Sequence, residues 1–315
     1  MSAAAAAVVT TTEKVNDSII TPSYTDHNGF RMPKGFPVEG FVSGLKYEAQ
    51  PNDLIVATYP KCGTTWMQHL VYLILNDGNP IAADERLDQI FPHLEEVGND
   101  YICASSSCNN SSAAGCNNYR LIKTHLPYSM TPQNPVAKYI FVARNPKDCV
   151  VSFFHHTRGF VKHYNFSEGS FDTYFQLFLT GKVDFGDFFA TLRSWYDHKD
   201  DPNVLFLTYE QLRTNTRAAV LSVAEFLDPD VYPARLLKDE HILNQILLHS
   251  SLDSMKKEPG RWSSERPKEH TPFIRKGSVG EWKDLISDEQ AALLDQRMHE
   301  TFSVEELKDL GDQYM

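Results

Sequence analysis

The chain runs to 315 residues, 42% of them hydrophobic and 23% charged, enough to bury a sizeable core. A formal net charge of -11 excludes a binder of nucleic acid or anionic membrane that works through a general basic excess. No apolar run approaches the ~20 residues that a membrane-spanning helix needs. Any anionic ligand must therefore be held by a few placed cations.

The first residues, Met1 to Thr12, are Ala-rich and lack a basic leading segment. Their apolar stretch Ala3 to Val9 is too short for a signal peptide. Residues 1–29 are expected to be a flexible tail and 30–315 a single domain; with no export signal, the expected compartment is the cytoplasm. Five cysteines, an odd number, suit a reducing compartment without a disulfide framework. Residues 13–50, rich in Gly, Pro and Tyr, read as an irregular lead-in.

The run Asp53–Thr58 has strand character, and Tyr59-Pro60 ends it. Trp66–Leu75 is long and apolar enough for a buried helix, stopped by Asn76–Pro80. Further strands are expected at Arg120–Thr124, Lys138–Ala143 and Asn203–Thr208. A helix should begin near Lys147, capped by Asn145 with Pro146 in its first position, and helical sequence follows the last strand through Leu227. Short apolar strands alternating with helices predict an α/β fold, with a central parallel sheet flanked by helices on both faces. Residues 103–118 break this pattern. They are small, polar and low in complexity, and are expected to form a mobile loop. Cys103, Cys108 and Cys116 fall here and read as free thiols, because a zinc site needs a fourth ligand and tighter spacing.

The strongest chemical signal is Tyr59-Pro-Lys-Cys-Gly-Thr-Thr-Trp66, a sharp turn from strand to helix. Backbone N–H groups at a helix N-terminus make an anion site. Gly63 permits the turn, Thr64 and Thr65 offer hydroxyls, and Lys61 supplies charge. The order differs from G-x-x-x-x-G-K-[ST], because the lysine precedes the glycine. Alone, this motif is also compatible with an ordinary capped turn. Lys123-Thr-His-Leu-Pro127 closes the second strand, where open α/β sheets place ligands, and His125 is positioned as a general base. Arg144-Asn-Pro-Lys-Asp148, with Ser152 beyond it, can hold a phosphate. Phe273-Ile-Arg-Lys-Gly277 with Gly280-Glu-Trp282 adds two adjacent cations.

Together these four motifs resemble the cytosolic sulfotransferases, from about residue 30 to about 290. The family's Y-P-K-x-G-T-T-W loop is intact, with Cys62 at the variable position. K-[ST]-H-L-P appears as Lys123–Pro127, R-N-x-K-D as Arg144–Asp148 with Ser152 eight residues after the arginine, and R-K-G-x-x-G-[DE]-W as Arg275–Trp282. The resemblance implies sulfuryl transfer from 3′-phosphoadenosine 5′-phosphosulfate (PAPS), leaving 3′-phosphoadenosine 5′-phosphate (PAP), with no metal cofactor. Lys61, Gly63, Thr64 and Thr65 would hold the 5′-phosphosulfate, with Cys62 of the same loop among the cofactor-binding residues. Arg144, Ser152, Arg275, Lys276 and Gly277 would hold the 3′-phosphate. Trp66 and Tyr209 would sandwich or edge the adenine, with Ser250, Leu252, Met255 and Phe273 near it. His125 would take the acceptor proton, and Lys61 and Lys123 would stabilise charge on the transferring group.

Phe36, Phe41, His93, His125, Phe153, His156 and Phe160 are candidates for an acceptor pocket, and each phenylalanine reads equally well as core. An aromatic lining would suit phenols, amines or steroid-like alcohols. Several positions depart from the family. Ser250 and Leu252 replace the common Thr and Phe near the adenine, and His93 stands where a pocket phenylalanine is expected. Lys283 is followed by Ser287, Asp288 and Ala292, so the usual dimer motif is not matched and the chain is expected as monomer or homodimer. Two other readings stay open here: a P-loop kinase or nucleotidase using ATP, which the order of the loop disfavours, and a non-catalytic nucleotide-binding protein, which intact Lys61, Lys123 and His125 disfavour.

Overall fold

The computed structural model describes residues 19–104, 119–262, 272–311 and 314. Six strands form two sheets: β1 (Tyr24–His27), β2 (Phe30–Pro33), β3 (Asp53–Thr58), β4 (Arg120–Thr124), β5 (Lys138–Ala143) and β6 (Val204–Thr208). The main sheet has the order β4-β3-β5-β6 with every pair parallel. β3 is buried at all six positions. Leu54 and Val56 face a core shared with Met67, Leu70 and Val71 of the helix Thr64–Leu75. Ile55 and Ala57 face the opposite core with Cys149, Val150 and Phe153 of the helix Pro146–Gly159. A strand covered on both faces must be apolar on both, which is why β3 reads as a continuous Val/Ile/Leu run.

Strand order reverses at β3, which pairs with β4 on one side and β5 on the other. This switch point is where open α/β sheets bind ligands, beyond the carboxyl ends of the strands. All four sheet strands point those ends the same way, so residues 59–63, 125–127, 144–145 and Tyr209 emerge at one edge. Asn145 caps the helix after β5, its side chain accepting the Lys147 N–H at 2.8 Å, with Pro146 in the first turn. The helical stretch after β6 is two pieces, Tyr209–Thr214 and Thr216–Leu227, because the Asn215 side chain leaves the first helix and caps the second through Ala218 N–H.

Three differences from the sequence reading concern the expected tail, lead-in and loop. β1 and β2 form an antiparallel hairpin within residues 13–50, and β1 lies inside the stretch 1–29 expected as tail. Asn28 and Gly29 make its two-residue turn with φ 53 and 86, the mirror-image turn that Asn-Gly favours. The hairpin stays because Met32 is fully buried and Phe30 stacks on Phe41 at 5.2 Å. Phe41 belongs to a short helix, Val38–Gly44, also in the lead-in. Cys103, placed at the start of the 103–118 loop, is an exposed residue of the helix Leu94–Ala104. Ala104 ends that helix, and residues 105–118, with Cys108 and Cys116, lie outside the described residues, as do residues 1–18 of the tail. Among the described residues no helix is long and apolar enough to cross a membrane.

Candidate active site

The strand ends open into a cavity of about 580 Å³. Every residue named from the sequence as a site candidate lines it except Cys62 and Phe41. The Cys62 side chain turns into the core, where its Sγ lies 3.7 Å from that of Cys149. Phe41 sits behind the wall, between Phe30 and His27.

The loop after β3 is built on two left-handed residues, Lys61 (φ 68) and Gly63 (φ 102). A Cβ on Gly63 would lie 2.8 Å from the Tyr209 ring, so glycine is required by both backbone and space. The helix Thr64–Leu75 starts immediately, and its first N–H groups have no intrahelical acceptor. Thr64 Oγ1 is held by Thr58 Oγ1 at 2.5 Å. Lys61 Nζ lies 3.4 Å from His156 Nδ1 and 4.3 Å from the Phe273 ring centroid. Phe273, expected beside the adenine, thus covers the lysine of the loop.

Arg144 ties three elements together. Its Nη1 donates to the Lys61 carbonyl at 2.8 Å, and its guanidinium lies 4.4 Å from the Tyr209 ring centroid. Tyr209 meets Trp66 edge-on at 5.5 Å and donates its hydroxyl to the Gly277 carbonyl at 3.0 Å. Asp148 supplies a second tie, accepting the Gly280 N–H at 2.7 Å and the Trp282 N–H at 3.1 Å. The third and fourth motifs, over a hundred residues apart, are thereby fastened to each other. Arg275 is held by Glu281 at 2.7 Å, and Lys276 reaches Asp284 at 3.4 Å. Burial first, then Arg275, Arg158 and Lys276, push the neighbouring His155 down to about 4, a mark of the positive field here.

His125 is 8% exposed. Its Nδ1 lies 2.8 Å from the Thr58 carbonyl, which can only accept, so Nδ1 carries the proton and Nε2 keeps its lone pair. Burial, then Lys123 and His93, hold its pKa well below the ordinary histidine range. The imidazole is therefore neutral near pH 7.

Two neighbours of His125 were not anticipated. Glu95 is fully buried, and its Oε1 accepts the His125 backbone N–H at 2.6 Å. Phe185, in a left-handed conformation (φ 62), sets its ring 5.0 Å from that of His125. Neither carries a motif of its own. The turn Asp184-Phe-Gly-Asp187 was the available signal for Phe185, and Glu95 had only its place two residues after His93.

A parallel sheet whose strand ends carry a helix-start turn open to the cavity, separate cations and a neutral buried imidazole has the makeup of an enzyme that transfers a group from an anionic donor. The Sulfotransferase domain family matches residues 51–311. Bovine sulfotransferase 1E1 is 33% identical over 278 residues, 84% of this chain and 88% of that protein. Rabbit amine sulfotransferase is 32% identical over 282 residues, 85% and 87% of the two chains. In fold, the chain resembles mouse sulfotransferase SULT7A1 complexed with PAP, with a TM-score of 0.70 and 23% identity over 93% of this chain and 99% of that one. The chain belongs to the cytosolic sulfotransferase family and is a PAPS-dependent sulfotransferase, a transferase of the EC 2.8.2 class.

Proposed function

We propose that this chain transfers the sulfuryl group to a hydroxyl or amine of a small acceptor, aromatic (a phenol or amine) or steroid-like, with His125 as general base. The observation that carries the reading is the Thr58 carbonyl on His125 Nδ1, which leaves Nε2 free to take a proton in the same cavity as Lys61 and Lys123.

The residues present fit a bound PAPS, which supplies an activated sulfuryl group. The turn at Lys61, Gly63, Thr64 and Thr65 would receive the 5′ end through backbone N–H groups and hydroxyls. Arg144, Ser152, Arg275, Lys276 and Gly277 would receive the 3′-phosphate. Trp66 and Tyr209 offer ring faces and edges for adenine, with Ser250, Leu252 and Met255 beside them. Cys62 has its side chain turned away, and its N–H is occupied by the Tyr59 carbonyl at 3.2 Å. His125 Nε2 takes the acceptor proton as the new bond from oxygen to sulfur forms. The electron pair of the broken bond stays on the phosphate oxygen, which Lys61 and Lys123 neutralise. In-line group transfer of this kind asks for positioning and charge neutralisation, and these side chains supply both.

For the acceptor, the cavity offers Phe36, Phe153, Phe160 and Phe185 as apolar wall, with His93 and His156 between them. A space of this size suits a small molecule, and the proposed compartment is the cytoplasm. The test is His125→Ala. Turnover with PAPS and a phenol should fall about 100-fold or more, while PAP still raises the Tm as it does for the unaltered chain. Retained turnover in that variant would remove His125 from the mechanism.

A further inference from the structure

The β5–β6 ladder ends where Ala143 pairs with Thr208. Beyond that pair, side chains join the two segments. The Arg144 guanidinium lies 4.4 Å from the centroid of the Tyr209 ring. One residue further on, Glu210, 5% exposed, accepts the Asn145 N–H on Oε1 at 3.0 Å. The carboxylate thus ties the residue after Arg144 to the residue after Tyr209, and sets the guanidinium against the ring. Arg144 Nη1 donates to the Lys61 carbonyl, while its buried Nε has no hydrogen-bond partner among the described residues. A buried guanidinium N–H on a cavity wall is a donor ready for an anionic oxygen. Its aim depends on whatever fixes the guanidinium plane.

Glu210 has a second tie. Its Oε2 accepts the hydroxyl of Tyr314, 104 residues further along the chain, at 3.1 Å. Tyr314 is 1% exposed, and Cys62 and Arg144 lie close enough to bear on its ionisation. Burial pushes the Glu210 carboxyl up, and the Asn145 N–H, its own N–H, Arg144 and Tyr314 act against that. Without the tyrosine hydroxyl, one buried oxygen would lack a donor. The carboxyl would then turn or take up a proton, and its bond to Asn145 would weaken. Neither Glu210 nor Tyr314 is among the residues lining the cavity, so neither touches a nucleotide bound there. We propose that Tyr314 and Glu210 are positioning residues for the 3′-phosphate, holding Arg144 through Asn145 in the orientation that receives it. The proposal rests on the reading of Arg144 as a ligand of that phosphate.

The experiment compares PAP with adenosine 5′-monophosphate (AMP), which lacks the 3′-phosphate, on the full chain. Titration calorimetry gives the Kd for PAP, and competition with PAP gives the Kd for AMP. In Tyr314→Phe, which keeps the ring and removes the hydroxyl, the Kd for PAP should rise about tenfold while that for AMP stays within about twofold, because only the 3′-phosphate contact is misaligned. KM for PAPS should rise with the Kd for PAP, and kcat at saturation should hold. Glu210→Gln reads the same contact from the other side, because the tyrosine hydroxyl loses its charged acceptor; there too the preference for PAP over AMP should fall. Equal weakening of PAP and AMP in Tyr314→Phe overturns the proposal, since Tyr314 would then support the fold at large. Unchanged binding of both overturns it as well. Arg144→Lys separates the underlying reading: the preference for PAP should fall there at least as far as in Tyr314→Phe. If it does not, Arg144 is no ligand of the 3′-phosphate, and the proposal falls on that ground instead.

Discussion

Asp148 offers the sharpest test of how the proposed donor site is held together. Its carboxylate is 3% exposed and accepts two backbone N–H groups, from Gly280 at 2.7 Å and Trp282 at 3.1 Å. Asp148→Asn preserves shape but replaces one acceptor oxygen by an NH₂ group, so at least one of these bonds is lost. A hydrogen bond to a charged group contributes about 1.5–3 kcal/mol. The segment that loses it carries Arg275, Lys276 and Gly277, so the cost should appear in the docking of that segment on PAP. At about 1.4 kcal/mol per factor of ten, the Kd for PAP should rise about 10- to 100-fold. Titration calorimetry with PAP reads this directly, and the Tm of the free variant shows whether the fold is intact. Steady-state kinetics should show KM for PAPS rising with Kd while kcat at saturation changes little, the pattern of lost ground-state binding. An intact variant whose Kd stays within about twofold of the unaltered chain would refute the idea that Asp148 fastens the two motifs.

Three further outcomes are expected. Gly63→Ala puts a side chain at φ 102 and 2.8 Å from the Tyr209 ring, so it should cost about 1–3 kcal/mol in urea unfolding and weaken PAP binding; an unchanged midpoint would show that the loop relaxes freely. Because burial, Lys123 and His93 hold His125 well below its ordinary range, kcat/KM should stay flat from neutral pH down past the usual histidine pKa of 6.5 before falling; an acid limb at 6.5 would contradict that environment. Burial pushes the Asp184 carboxyl from 3.8 up to about 7. Between those values the folded chain keeps a proton that the unfolded chain has released. Its contribution to stability is thus full below 3.8 and is lost as pH rises toward 7. Asp184→Asn should flatten that decline and melt higher than the unaltered chain at pH 7.5, and parallel Tm–pH curves for the two would exclude the carboxyl as its cause.

The sheet was legible because its chemistry is local. β3, β4 and β5 announce themselves as apolar runs, and each is followed by a motif whose residues need no partner to be recognised. The hairpin was equally local, since Asn28-Gly29 is a turn signal. Its flanks, Tyr24–His27 and Phe30–Pro33, alternate weakly and become ordered through Phe41 and Tyr164, so the turn signal alone does not predict two strands. Glu95 and Phe185 were out of reach for a different reason. A carboxylate that supports a backbone N–H 30 residues away, and a ring that approaches His125 from 60 residues on, acquire meaning only when the chain has folded. Phe41 shows the converse error, since one aromatic residue in a lead-in does not reveal which side of a wall it occupies.

The order β4-β3-β5-β6 has a consequence for how the chain reaches its working state. Each sheet pairing joins segments about 65 to 85 residues apart, so little of the sheet forms from local contacts and its assembly should be slow. Every one of the four strands also ends in a piece of the cavity. A partly assembled sheet therefore lacks at least one wall of the cavity proposed to hold the donor, and capacity to bind PAP should return late in refolding, after most helical signal. On that reading, recovery of PAP binding should time the pairing of the last strand.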